Sequence, residues 1–302
     1  MSATYPKIKD LEVNLLLLKR AEVVVTEKIH GANFRILIPV GGDVENVSFG
    51  TKGSRIKPGS FFAQFLEAVQ AQIALPDVIT ALERDHAWTL FGELFGPAIQ
   101  KELPYLIDGI GIRFFDIMRD GALLAYDEFL HVAAQTKLPV VPELYRGIPD
   151  MSIFQQLVHK SSSVAPNAPR EGIVIRDPSL TLLDGNLPLA KFKNEPFREK
   201  DYGIAIEEFM TMADEEEKAR NFVNRFVTEI RLKKMFDVLR EHGQLTGTRR
   251  DIAPLSAEML RDIQTEDADY YAELDSRIAA RLIAQRVNRL FSALLERGRL
   301  HL

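Results

Sequence analysis

The sequence contains no cysteine. Disulfides, thiolate zinc centres and cysteine nucleophiles are therefore excluded. Long apolar runs are also missing. "LLLL" at 15–18 meets Lys19-Arg20 at once, far short of the roughly 20 residues a bilayer requires. The opening "MSATYPKIKDLEVN" lacks the basic-then-apolar order of a secretory signal. A soluble, cytoplasmic protein is expected. The six histidines (30, 86, 131, 159, 242, 301) are scattered without metal-ligand spacing. There is no GxxxxGK[ST], no strand–GxGxxG–helix, no HExxH and no GxSxG. Phosphate-loop NTPases, Rossmann oxidoreductases, zinc hydrolases and serine hydrolases are thus disfavoured. Nor is there an excess of positive charge. A net charge of −5 means that any nucleic-acid binding must come from a local basic surface.

What is present is ordinary globular composition, 46% hydrophobic and 27% charged over 302 residues, enough for two domains. Apolar and β-branched runs predict strands at 22–27, 33–40, 46–51, 88–94, 111–118, 171–176 and 187–193. Helices fit 61–73, 76–84, 125–136 and 151–159. "SSSVAPNAP" at 161–169 reads as a loop feeding the strand "GIVI". Beyond about Tyr202 the texture changes. Phe222, Phe226 and Ile230 are spaced by four, and Ile278, Leu282, Ile283, Val287, Leu290, Phe291, Leu294 and Leu295 form a second helical stripe. "DEEE" at 214–217 suits a solvated first turn. No strand is expected from 204 onward. The expected organisation is α+β, with antiparallel sheets and flanking helices over 1–202 and an all-helical domain over 203–302.

The stretch "VVVTEKIHGANFRI" (23–36) poses the chemical question. A turn between two strands needs Gly31 or Asn33 but not Lys28 and His30. A lysine attacks phosphorus only as the neutral amine. Its free pKa of about 10.4 leaves roughly one molecule in a few thousand neutral at pH 7. Burial and neighbouring cations promote the neutral form. The tetrapeptide K-x-x-G is weak by itself. It occurs twice, at Lys28–Gly31 and Lys200–Gly203, close to what chance supplies. The order of the elements downstream is more informative. "FGTKGSRI" offers Lys52 and Arg55. "TLFGELFG" places Glu93 at a strand end. "GIRFFDI" pairs Phe114 and Phe115. "EGIVIRD" begins on Glu171. "LAKFKNEPF" alternates Lys191 and Lys193 on one face. Two lysines on one face repel unless an anion or solvent separates them. Singly, each feature suits a strand-end charge, a core aromatic or a wet face.

Together, "EKIHGANF", "GSRI", "FGELFG", "FFDI", "EGIVIR" and "KFKNEPFREK" resemble the six collinear motifs of covalent nucleotidyltransferases, the polynucleotide ligases and capping enzymes. The form with His30 and Asn33-Phe34 is similar to the ATP-dependent RNA ligase 2 family. The likeness spans about residues 20–200. It implies a nucleotidyltransferase domain, related in style to ATP-grasp ligases, and fixes expectations residue by residue. Lys28 would attack the α-phosphorus of ATP and carry AMP. His30 and Gly31 belong to the signature, and Glu27 would lie by the adenine. Arg55 would contact ribose and phosphates or the RNA 5′-phosphate, with Lys52 as the competing residue. Glu93 would hold the ribose hydroxyls. Phe115, in preference to Phe114, would stack on adenine. Glu171 would organise the metal–phosphate site, with Mg²⁺ or Mn²⁺ as the metal. Lys191 and Lys193 would neutralise the α-phosphate.

The tail bears on the substrate. Capping enzymes and most DNA ligases place a β-barrel after the last motif, whereas 204–302 reads as helices. That favours an RNA ligase. From Arg277 to Leu302 six arginines face one acid, Glu296. Arg277, Arg281, Arg286 and Arg289 recur near one-turn spacing. They form either a solvated helix face or a phosphate track for RNA. The expected activity is ATP-dependent joining of 3′-hydroxyl and 5′-phosphate ends, at nicks in duplex RNA, by a monomer with no membrane association. Two alternatives stand beside it: the same chemistry on DNA or RNA–DNA nicks, and a non-catalytic protein binding nucleotide and RNA.

Overall fold

In the computed structural model, residues 4–51, 54–100, 105–180, 187–198, 210–241 and 243–297 are described. The chain divides into two compact units, 1–196 and 197–302. The first is built on two five-stranded sheets. Its strands are β1 (Lys9–Asp10), β2 (Val23–Lys28), β3 (Ala32–Ile38), β4 (Ser48–Thr51), β5 (Trp88–Phe95), β6 (Gly111–Arg119), β7 (Ala122–Leu123), β8 (Glu143–Gly147), β9 (Gly172–Arg176) and β10 (Leu189–Lys193). One sheet runs β1-β10-β9-β2-β8 and the other β4-β3-β5-β6-β7. Every pairing is antiparallel except β1 with β10.

The expected strands all appear within a few residues of their predicted bounds. The edge strands β1, β7 and β8 were not anticipated. They are short and half-exposed, so they carry little apolar alternation. The turn between the strands flanking "EKIHGAN" joins two different sheets. β2 lies in the first sheet and β3 in the second, so Lys28, His30 and Gly31 sit where the chain crosses between sheets.

Period-two alternation gives each sheet two unlike faces. Val23, Val25, Ile173, Ile175 and Ala190 pack with Phe154, Leu157 and Val158 of α4 (Met151–Val158). On the second sheet Phe34, Ile36, Leu90, Leu94, Ile112 and Phe114 pack with α1 (Leu66–Ile73), α2 (Leu75–Ala81) and α3 (Tyr126–Gln135). The remaining faces carry the polar residues. A buried ion pair ties one to the other: Arg176 of β9 donates to both oxygens of Asp116 on β6, at 2.8 and 3.1 Å. Tyr5 donates to the same carboxylate.

Among its described residues the second unit contains helices joined by turns and loops, and no strand: α5 (Glu215–Phe226), α6 (Glu229–Glu241), α7 (Ile252–Glu266), α8 (Ala268–Tyr271) and α9 (Ser276–Glu296). The acidic run opens α5 as expected. Asp214 caps it by accepting from the backbone N–H of Glu216 and Glu217, both at 2.9 Å, and the acids that follow complement the helix dipole. The Phe222–Phe226–Ile230 stripe is broken. α5 ends at Phe226, and Ile230 belongs to α6 and is exposed. Arg231 is buried here between Asp262 and Asp267, at 2.7 and 2.8 Å.

Candidate active site

Sheet register brings the sequence elements together. Lys28 at the end of β2 pairs with Gly172 of β9, which pairs in turn with Lys193 of β10. Gly172 has no side chain between the two lysines, and a Cβ there would lie 2.4 Å from the Phe192 carbonyl oxygen. The preceding residue, Glu171, fills the position between the cations. Lys28 Nζ donates to Glu171 Oε1 at 2.7 Å. Lys193 Nζ lies 3.4 Å from the same oxygen, and His30 Nδ1 lies 3.7 Å from Oε2. Burial of Glu171 favours its neutral form, but Lys28, Lys193 and His30 outweigh that effect. They hold the carboxyl well below the usual carboxylate range. Lys191 lies one step along the same face, 3.8 Å from Asp10.

The second sheet supplies the facing wall. Its β5–β6 ladder pairs Glu93 with Arg113 and Phe91 with Asp116. Glu93 also pairs with Asn33 of β3. Gly31 joins this wall to the lysine cluster. A Cβ at Gly31 would stand 2.1 Å from the Leu94 carbonyl oxygen and 2.9 Å from Glu93 Cγ. Gly31 is thus required for close approach to β5, a reason that the turn reading of the sequence did not contain. Phe114 and Phe115 divide as their residue types cannot reveal. The β5–β6 register shifts at Phe91/Gly92, so Phe115 is the extra residue of a bulge. Phe114 is fully buried in the helix-side core. Phe115 is only partly buried and meets Tyr5 edge-on, centroids 5.0 Å apart.

Glu27 faces the other way. It is nearly inaccessible, accepting from Ser162 Oγ at 2.5 Å and from the Ser163 N–H at 2.8 Å, with Arg170 Nε at 3.5 Å. Its place in this structure is a buried anchor for the 161–169 loop. Arg55 lies beyond β4, exposed and bridged through its backbone to Gly50. Among the described residues no hydrogen bond or ion pair joins it to the Glu171 cluster. Lys52 lies outside the described residues, as do Lys200 and Gly203. In the second unit Arg277, Arg281 and Arg289 are exposed on α9. Arg281 pairs with Glu216 at 2.9 Å. Arg286 is half-buried and reaches the Val227 carbonyl at 3.4 Å.

Residues 21–193 match the family model for RNA ligase. The chain belongs to the RNA ligase family. Among solved structures it resembles Naegleria gruberi RNA ligase. An apo variant gives 17% identity, a TM-score of 0.51 and coverage of 65% of this chain and 57% of that one. A second apo variant gives 15%, 0.53, and 65% and 58%. A variant with ATP and Mn gives 18%, 0.51, and 65% and 57%. The chain thus spans well under two thirds of the Naegleria ligase, and at this identity the likeness concerns the fold. No curated protein matches the sequence.

Against that family background, several site residues escaped the sequence reading. Arg113 stands opposite Glu93, and its guanidinium lies 5.8 Å from the centroid of Phe95. Tyr105 is buried beside Ser162, Glu27 and Glu171, and burial pushes its phenol up to about 12. Asn194 ties β10 to the cluster by donating its N–H to the Glu171 carbonyl at 2.8 Å. Arg170 and Ser162 lack a local pattern. Their partners lie far away in sequence, and only the pairing of the "SSS" run with the acid before Lys28 would have pointed to them.

Proposed function

We propose that this chain is an ATP-dependent RNA ligase that joins 3′-hydroxyl to 5′-phosphate ends through a lysyl-AMP intermediate. The observation that carries the reading is the convergence of Lys28, Lys193 and His30 on the buried Glu171 carboxylate, inside the segment that defines the family. Nucleotidyl transfer needs charge neutralisation and in-line placement more than proton transfer. Lys28 supplies the nucleophile. Its contact with Glu171 must be released and one ammonium proton lost to solvent before the nitrogen lone pair can reach the α-phosphorus. The nitrogen–phosphorus bond then forms as the bond to pyrophosphate breaks. Lys193 and Lys191 lie on the same face to balance the α-phosphate charge. Phe115 offers its ring to the adenine, and Glu93 its carboxylate to the ribose.

The donor set fits a hard divalent cation. Glu171 is a buried, ionised carboxylate facing the site, and Mg²⁺ or Mn²⁺ typically takes one or two carboxylates with waters and phosphate oxygens. When bound, such a cation spreads the phosphate charge. The Naegleria structure with ATP and Mn supports this assignment. In the two later steps AMP passes to the RNA 5′-phosphate, and the 3′-hydroxyl then displaces AMP. A nick in duplex RNA is the substrate we assign, with the α9 arginines as phosphate contacts.

Incubation with α-labelled ATP and Mg²⁺ tests the first step. The wild type becomes covalently labelled, and Lys28→Ala does not. An unlabelled wild type would remove the enzymatic reading and leave a nucleotide- and RNA-binding protein. Matched RNA, DNA and RNA–DNA nicks run side by side then identify the nucleic acid.

A further inference from the structure

Two lysines on one face of β10 need anions beside them, and Glu171 answers Lys193 at 3.4 Å. Lys191 is answered from the other side of the strand, by Asp10 at 3.8 Å. Asp10 lies on β1. That strand runs parallel to β10 and sets Lys9 opposite Ala190 and Asp10 opposite Lys191. Both charged side chains are mostly covered, with 13% of Asp10 and 22% of Lys191 exposed. Asp10 precedes the segment 21–193 that matches the family model, so that match does not reach it.

A two-residue strand has few ladder bonds, and the chain fastens this one from the residues that follow it. Leu11 is buried among Ile173, Ile175 and Ala190. Asn14, also buried, donates from its side-chain amide to the Leu187 and Leu189 carbonyls, each at 3.1 Å. Leu189 opens β10, so β1 is locked in register against the strand that carries Lys191. Asp10 also stands at the N-cap of the 3-10 turn Leu11–Val13. An aspartate there ordinarily accepts from the first backbone N–H groups. The Asp10 carboxylate makes no capping bond. It lies beside the Lys191 ammonium instead. A separation of 3.8 Å is an ion pair longer than a direct hydrogen bond. The carboxylate therefore orients the ammonium by charge, and no N–H bond between the two has to break when the ammonium turns to a phosphate.

We propose that Asp10 is a positioning residue for nucleotidyl transfer, holding the Lys191 ammonium on the site face of β10 so that it meets the charge of the α-phosphate. This rests on the reading that Lys28 takes up AMP from ATP. Without Asp10, repulsion from Lys193 pushes Lys191 toward solvent, because like charges on one strand face repel. The short first strand, which lies ahead of the family segment, thereby becomes part of the active site.

The test is single-turnover labelling of the full chain with α-labelled ATP and Mg²⁺, followed over a range of ATP concentrations. Asp10→Asn is expected to lower the rate at saturating ATP roughly ten- to a hundredfold, the scale of a misplaced catalytic group. The half-saturating ATP concentration should change by less than about threefold, since the lost interaction belongs to the transition state. Asp10→Glu keeps the charge and should recover most of the rate. Lys191→Ala supplies the control for a merely structural role. In that background Asp10→Asn should cost less than about twofold more, because the side chain it positions is already gone. A wild-type rate in Asp10→Asn, or losses that multiply in the double variant, would overturn the proposal. Multiplying losses would assign Asp10 to the framework of the first sheet. Should Asp10→Asn fail to fold, Asp10→Ser removes the charge and retains a capping hydroxyl, and the same comparison decides. A wild type that takes no label removes the ligase assignment, whereas a labelled wild type with an equally fast Asp10→Asn removes only this role.

Discussion

Glu171 gathers two lysine ammonium groups and the His30 ring on one carboxylate, so its removal has a worked electrostatic consequence. Its native carboxyl is held below the ordinary value of about 4.3. A group depressed in this way contributes stability that is fully present above the ordinary value. The contribution is lost as the pH falls toward the native one. Glu171→Gln leaves Lys28 and Lys193 facing each other across Gly172 with no anion between them. The cost is up to about 3 kcal/mol, reduced because Lys28 is partly solvated. In urea unfolding, the gap between wild type and Glu171→Gln should stay constant from about pH 7 to 5 and close below about pH 4. A gap independent of pH would mean that Glu171 acts by packing and not by charge.

At the level of elements, the adjacent phenylalanines of β6 separate what sequence can and cannot specify. Apolar alternation located β5, β6, β9 and β10, and with them Glu93, Glu171, Lys191 and Lys193, because each strand has a face buried under helices. Alternation also predicts opposite faces for Phe114 and Phe115. The bulge that sets Phe115 apart comes from register with β5, which no local pattern encodes. Glu27 shows the same limit. The family resemblance placed it by the adenine, whereas the Ser162 hydroxyl, 135 residues away in sequence, makes it an anchor for the 161–169 loop, a partnership no local pattern encodes. The two phenylalanines should therefore respond differently to truncation. Phe114→Ala removes a fully buried ring and should cost about 3–5 kcal/mol in stability. Phe115→Ala should fold normally but raise the KM for ATP in the labelling reaction about tenfold, through loss of base stacking. Thermal melts and ATP titrations on both variants distinguish them. An unaltered KM in Phe115→Ala would leave Tyr5 as the other ring at that wall.

On the scale of the whole molecule, the described core residues fall into clusters confined to one unit or the other. Those of the first unit run from Leu11 to Phe192 and include both sheets. That of the second runs from Met210 to Leu295. The first unit also closes its own sheets through Arg176 and Asp116, and it contains Lys28, Glu93, Glu171, Lys191 and Lys193. The second unit contains none of the residues assigned to nucleotide chemistry. It does carry the exposed arginines of α9, whose charge is only partly answered by Glu216. Adenylylation and end joining should therefore separate on truncation. A chain ending at Pro196 is expected to melt in a single transition and to take covalent label from ATP at Lys28. It should lose RNA end joining if the exposed α9 arginines supply the RNA phosphate contacts proposed above. Mutating Arg277, Arg281 and Arg289 together to Ala in the full chain should reproduce that loss without unfolding α9, since all three side chains point to solvent. It should also lower the salt dependence of duplex binding by up to about three phosphate contacts. Full joining activity in that triple variant would shift the duplex contacts away from α9 and onto the first unit.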